Sequence, residues 1–194
     1  MRTRVVVVLI CIMLNAAHLV AQNEESPPDR LYYFNSFQSG GLFGEKDKGT
    51  SFTFSTIHGV QIRNFRFGVG VGYDSYQRWR TMPLFGSVSL DIARLRENNL
   101  FLMLNGGYST AWFRPQSEFE PEHSKGRGVI INPSVGYRIK AGKWNVSIAA
   151  GYKWQRLHYL TSTPYHWGYQ GGRGKTEVTE KIERLVIQMG FGIN

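Results

Sequence analysis

Hydrophobic and polar residues alternate along most of this chain with a period of two, and the clearest run is the last. Leu185, Ile187, Met189, Phe191 and Ile193 hold one parity, while Arg184, Val186, Gln188, Gly190, Gly192 and Asn194 hold the other. Side chains of an extended strand point alternately to opposite faces. Such a run therefore predicts a strand with one apolar face and one small or polar face. The pattern recurs upstream. Phe65, Phe67, Val69, Val71 and Tyr73 oppose Arg66, Gly68, Gly70 and Gly72. Trp144, Val146, Ile148, Ala150, Tyr152 and Trp154 oppose Asn145, Ser147, Ala149, Gly151, Lys153 and Gln155. Leu84, Val88, Leu90 and Ile92 oppose Ser87, Ser89 and Asp91. Val129, Ile131, Val135, Tyr137 and Ile139 oppose Asn132, Ser134, Gly136, Arg138 and Lys140. Phe52, Phe54, Val60 and Ile62 oppose Ser51, Thr53, Ser55 and Gln61. Two segments are less regular, Leu31 to about Phe43 and Leu100 to Phe113; in the second, Phe101 and Met103 fall on the otherwise polar face. Eight strands are predicted in all.

The connections add a second signal. Arg63-Asn64, Arg96-Glu97-Asn98-Asn99 and Ala141-Gly142-Lys143 are short and carry tight-turn residues. Gly44 to Thr50, Asp74 to Thr81, Arg114 to Arg127 and Thr161 to Lys181 are longer and polar. Long and short alternate strictly, so the long loops should all emerge at one end. A soluble sandwich has no reason for that asymmetry, whereas a membrane barrel with short periplasmic turns does. The runs reach about 10 residues, the length a tilted strand needs to cross a bilayer. Sheet at membrane depth must close on itself so that every backbone N–H and C=O is paired. The predicted fold is all-β: an eight-stranded antiparallel up-and-down transmembrane β-barrel over residues 31–194, small enough for side chains to fill its lumen. Aromatic residues fall where membrane girdles are expected. Tyr73, Tyr76, Trp112, Phe113, Tyr152 and Trp154 lie near the loop ends, and Phe65, Tyr137, Trp144 and Phe191 near the turn ends.

The N-terminus reads as a signal peptide over residues 1–21. Arg2 and Arg4 precede the apolar run Val5 to Leu14, and small residues lead to a cleavage site after Ala21. Residues 22–30 form a short linker. The apolar run is about half the ~20 residues of a membrane-spanning helix. Cys11, the single cysteine, lies inside it, so the mature chain is expected to hold no disulfide and no thiolate metal site. Composition agrees with a β protein: 14% aromatic, 22 glycines and 19% charged residues. The formal charge is +9; losing two of the 23 basic residues with the signal leaves 21 against 14 acidic ones, a mature charge of +7.

The signal peptide, the eight alternating segments and the closing run Leu185 to Asn194 resemble the small eight-stranded outer-membrane β-barrel superfamily, which includes the OmpA transmembrane domain and OmpX. The resemblance spans nearly all of the mature chain and rests on pattern. It implies Sec-dependent export, handling by the barrel-assembly machinery and residence in the outer membrane of a Gram-negative bacterium. Many such proteins end on an aromatic residue; here Phe191 lies three positions before the terminal Asn194.

Three groups of residues are candidates for function. Arg66, Asp91, Arg138, Lys153 and Arg184 share the predicted lumen face, and Asp91, the one acid placed there, should pair with an arginine or Lys153. This network predicts a plugged lumen. Arg78, Trp79 and Arg80 in the second long loop, with His166, Trp167, Arg173, Lys175 and Lys181 in the fourth, offer basic and aromatic contacts to lipopolysaccharide phosphates and outer-membrane lipids. The third group is an alternative. Some barrels of the superfamily modify lipid A: Asp74-Ser75 in the second long loop matches the Asp–Ser pair of the palmitoyltransferase type, and His123-Ser124 with Glu122 in the third supplies the residue types of a deacylase. Sequence adjacency is not catalytic geometry, however, and the first long loop lacks the histidine of the palmitoyltransferase type. The five histidines show no metal-ligand spacing and nothing implies a cofactor. Secretion and the lack of one basic face argue against nucleic acid. The expectation is a monomeric, non-enzymatic barrel acting in envelope integrity, adhesion or partner binding, with a soluble periplasmic ligand-binding barrel as the remote alternative.

Overall fold

A computed structural model of the protein describes residues 31–44, 49–95, 98–114, 122–165 and 172–193. The signal peptide and linker expected over residues 1–30 lie outside the described residues. Eight long strands form one closed antiparallel ring: β1 (Leu31–Phe43), β2 (Thr50–Ile62), β3 (Phe65–Ser75), β4 (Trp79–Leu95), β5 (Asn98–Phe113), β7 (Gly126–Ala141), β8 (Trp144–Tyr165) and β9 (Gly172–Ile193). A two-residue strand, β6 (Glu122–His123), pairs with Ser162 and Thr161 of β8. Each long strand pairs with the next. The ring closes where β1 meets β9, from Asn35↔Ile193 to Phe43↔Leu185. These are the eight segments that alternation predicts.

Burial follows the same parity. Along β4, Thr81, Pro83, Phe85, Ser87 and Ser89 are buried, while Met82, Leu84 and Val88 between them are exposed. The arrangement is inside-out relative to a soluble protein. Val69 and Leu84 are each 67% exposed and Met189 is 62% exposed, whereas Arg66, Asp91, Arg138, Lys153 and Arg184 are buried. The outer wall is mostly apolar, interrupted by His58 with Tyr33, Asn35 and Thr56 on β1 and β2, and the interior carries the buried charges.

The short connections sit at one end, the turn end. Arg63-Asn64 joins β2 to β3 with Arg63 at φ 53°, and Gly142-Lys143 joins β7 to β8 with Gly142 at φ 62°. A two-residue hairpin needs a positive φ at its first position to match strand twist, which glycine adopts without strain. Between β4 and β5, Asn98 and Asn99 belong to the strand and not to a turn; the rest of that connection lies outside the described residues.

The opposite end departs from the predicted loops. The second connection is only Tyr76 to Arg78, because β3 continues through Asp74 and Ser75 and β4 already begins at Trp79. Strict alternation of long and short connections therefore fails there. Most of the predicted fourth loop is strand. β8 and β9 each run 22 residues and stay in register from Trp144↔Ile193 to Tyr165↔Gly172. Neighbours β7 and β1 stop far earlier, at Arg127↔His158 and Phe43↔Leu185. The β8–β9 hairpin thus projects past the ring as an arm. Thr161 to Lys181 is polar enough to read as a loop, yet its backbone is paired across the hairpin. Ser124 braces the arm: its N–H donates to Leu160 O at 2.8 Å, and its Oγ accepts from Leu160 N at 2.8 Å.

Candidate functional site

The interior is layered, and the strand register sets the layers. At the turn end, Asp91 of β4 accepts from Arg138 Nη1 of β7 at 2.7 Å and from Asn99 Nδ2 of β5. Asn99 lies between Arg94 of β4 and Arg138 of β7 in the register, which places all three together. The Arg138 guanidinium lies over the Phe101 ring, 4.3 Å from its centroid, and Arg66 lies over Phe34 at 5.3 Å. Above this charge layer, Phe34, Ile57, Phe85, Phe101, Met103 and Ala149 make a buried apolar band. Phe101 and Met103, the exceptions to polar-face patterning, are two of its members.

A second charge layer lies toward the arm end. Lys153 Nζ of β8 donates to both carboxylate oxygens of Asp74, at 2.5 and 2.6 Å. Thr53 Oγ1 and Thr81 Oγ1 donate to the same carboxylate at 2.6 and 3.1 Å. Asp74 is fully buried, and four donor contacts compensate the cost of placing its charge there. Asp91 is therefore not the only lumen acid. Asp74 continues the parity of Arg66, Gly68, Gly70 and Gly72, a signal obscured by reading Asp74-Ser75 as the start of a loop.

An aromatic cap lies above that layer. Leu42, Tyr76, Trp79, Ala111, Leu157, Ile182 and Val186 form one buried cluster, with Phe113 and Tyr159 packed on it. Trp79 lies 4.6 Å from Tyr159 and 5.3 Å from Phe113, centroid to centroid. Its Nε1 donates to Glu180 Oε2 at 3.0 Å, and Tyr159 OH donates to the same oxygen at 3.3 Å. Burial, together with the neighbouring Glu180 carboxylate, raises the Tyr159 hydroxyl above its ordinary pKa of 10.0. Tyr76 OH donates to Gln155 Oε1 at 3.0 Å, and Gln155 Nε2 donates to Ser109 Oγ at 2.6 Å, tying cap to lumen. Trp79 is thus a buried, inward residue and not an exposed loop contact. Tyr76 and Phe113 likewise turn inward, unlike the other predicted girdle residues.

Those others do face outward. Trp144 and Phe191 stack at 4.9 Å on the turn-end rim. Trp112 is exposed, while Tyr73, Tyr137 and Trp154 are partly covered on the outward parity. Tyr137 OH accepts from Asn98 Nδ2 at 2.9 Å. Of the predicted loop contacts, Arg78 is exposed in the short second connection, while Arg80 and Lys175 are exposed strand residues of β4 and β9. Arg173 belongs to β9 opposite Pro164, and His166 and Trp167 lie outside the described residues.

The acyl-transfer residues are not brought together. Asp74 and Ser75 are adjacent in one strand and so point to opposite faces of the wall. Both Asp74 oxygens are held by Lys153 and the two threonines. His123 sits in the cap, its ring 4.0 Å from Phe113, with Nδ1 2.9 Å from Thr161 Oγ1. No group of three or more metal-ligating side chains is present among the described residues.

The crystal structure of Neisserial surface protein A (NspA) resembles this chain with a TM-score of 0.58 and 12% sequence identity, covering 85% of this chain and 99% of that one. The likeness is one of fold, a closed antiparallel β-barrel. The outer membrane protein AlkL, solved by solid-state NMR in DMPC bilayers, covers 89% of this small barrel and 96% of its own chain, with a TM-score of 0.45 and 11% identity. The translocator domain of the autotransporter NalP from Neisseria meningitidis covers 97% of each chain, with a TM-score of 0.38 and 10% identity. Identity at this level speaks to the fold alone. No family model matches the sequence, and no curated protein matches it.

Proposed function

We propose that the protein is a closed, non-enzymatic barrel of the Gram-negative outer membrane, delivered by Sec export and the barrel-assembly machinery, that presents its β8–β9 arm to a partner outside the cell. The observation that carries the reading is the pairing of an apolar outer wall with a filled interior. Val69, Leu84, Val129, Ile148 and Met189 stand outward on five strands, a surface suited to lipid and costly in water. The interior stacks a charge layer, an apolar band, a second charge layer and an aromatic cap, an arrangement that supports a plugged lumen. Envelope integrity, adhesion and partner binding are the roles open to such a barrel.

The arm-end rim supports lipopolysaccharide as a contact. Arg80, Arg127, Arg156 and Lys181 are exposed on four strands. Arg156 and Lys181 are directly opposite each other in the β8–β9 register, and like charges so placed repel. A lipid phosphate at the headgroup level relieves that repulsion. Trp154, two residues below Arg156 on the same face, sits where an interfacial aromatic belongs.

Two measurements test the reading. Trypsin added to intact cells should cut the arm at Lys175 while the membrane-embedded remainder stays protected, and purified protein should give no current steps in planar bilayers. Cleavage only after the envelope is broken, or single-channel currents from the wild-type barrel, would contradict it.

A further inference from the structure

The turn-end charge layer is out of balance. Among the described residues, Arg66 and Arg138 are both buried beside a single acid, Asp91, which is already committed to Arg138 and Asn99. Arg66 lies within electrostatic reach of both Arg138 and Asp91. It is only 3% exposed, and its Nε and Nη2 have no hydrogen-bond partner. Its cross-strand neighbour Ser89 is also buried, with an unpartnered Oγ. Both residues line one cavity, together with Ser87, Ser147, Phe101 and Arg138. That cavity offers about 20 Å³, room for one water or one monatomic ion.

We infer that this cavity is a binding site for one halide ion, chloride under physiological conditions, held by Arg66 Nε and Nη2 and by Ser89 Oγ. Three features select this ligand class. The layer's two buried arginines carry one positive charge more than its buried acid neutralises, and the less buried Lys140 and Arg94 nearby only add to the excess, so a monovalent anion offsets the buried imbalance, and a buried unpaired charge is costly. The free groups are N–H and O–H donors, so the ligand is an acceptor. The volume excludes phosphate and carboxylates. Water satisfies the donors but leaves the charge uncompensated. The inference rests on lumen geometry and does not depend on what the arm binds; it names the counter-ion that completes the plug.

The test uses the full refolded barrel in detergent, unfolded by urea at constant ionic strength in sodium chloride, sodium bromide or sodium gluconate. Chloride and bromide should each raise the unfolding midpoint over gluconate. At halide ten times its dissociation constant, the folding equilibrium constant should rise about elevenfold. The halide dependence should vanish in Arg66→Met and weaken in Ser89→Ala. Bromide-soaked crystals of the wild type should show an anomalous peak within hydrogen-bonding distance of Arg66 and Ser89, which decides the matter even if Arg66→Met fails to refold. Equal midpoints in chloride and gluconate with no bromide peak would overturn the proposal and leave water as the occupant.

Discussion

Replacing Lys153 with methionine tests the arm-end charge layer. Methionine keeps the length and apolar stem of lysine and removes only the ammonium. Asp74 stays fully buried and loses the partner that reaches both of its oxygens at 2.5 and 2.6 Å. Breaking a buried pair from one side costs about 3–5 kcal/mol, because the other charge is left uncompensated. Two features pull the figure down. Thr53 and Thr81 still donate to the carboxylate, and Arg184 lies over Tyr76, which also senses Asp74. A loss of about 3 kcal/mol is expected, roughly two orders of magnitude in the folding constant. The companion Asp74→Asn/Lys153→Met variant removes both charges and keeps a partner for the threonines, so it should fall within about 1 kcal/mol of wild type. Urea titration of the refolded barrel in lipid vesicles, read by tryptophan fluorescence, measures all three. A Lys153→Met loss below about 0.5 kcal/mol would refute the reasoning, since it would mean water screens the pair as on a surface.

Further predictions probe the other layers. Trp79→Ala empties the centre of the cap and should cost about 3–5 kcal/mol by the same titration, without abolishing the barrel's gel shift. Leu84→Arg places a charge on the lipid face and should cost about 2–4 kcal/mol in lipid, whereas Lys175→Gln on the arm should be nearly neutral. The Tyr159 hydroxyl has a folded pKa raised above 10.0. Its bond to Glu180 is therefore fully present below pH about 10 and lost as pH rises through the raised folded value. Hydrogen exchange of the arm should accelerate across that alkaline window in the wild type and much less so in Tyr159→Phe.

The barrel was legible because an outward apolar parity recurs along the chain, clear in six segments and less regular in Leu31 to Phe43 and Leu100 to Phe113. The charged lumen residues were legible for the same reason: Arg66, Arg138, Lys153 and Arg184 fall on the face opposite the apolar stripe. Polarity misled where β8 and β9 pass beyond the ring. There both faces can be wet, the period of two loses its contrast, and Thr161 to Lys181 reads as a loop although its backbone pairs across the arm. The cap was illegible for a related reason. Tyr76, Trp79 and Phe113 have the residue types of a girdle, and only the register, with Trp79 continuing the inward parity of Thr81 and Pro83, turns them inward. Asp74 was misread at the same boundary. His123 gave no signal, because its place in the cap depends on β6 pairing with β8 some 40 residues later.

The most direct test of the central claim is electrophoretic. Protein extracted in mild detergent from the outer-membrane fraction is run with and without boiling. A closed barrel of this size resists the detergent, so the unheated sample should migrate as a distinct band that converts to the 22.1 kDa position, less any cleaved signal, on heating. Recovery in the detergent-free soluble fraction, with one band under both conditions, would contradict the account.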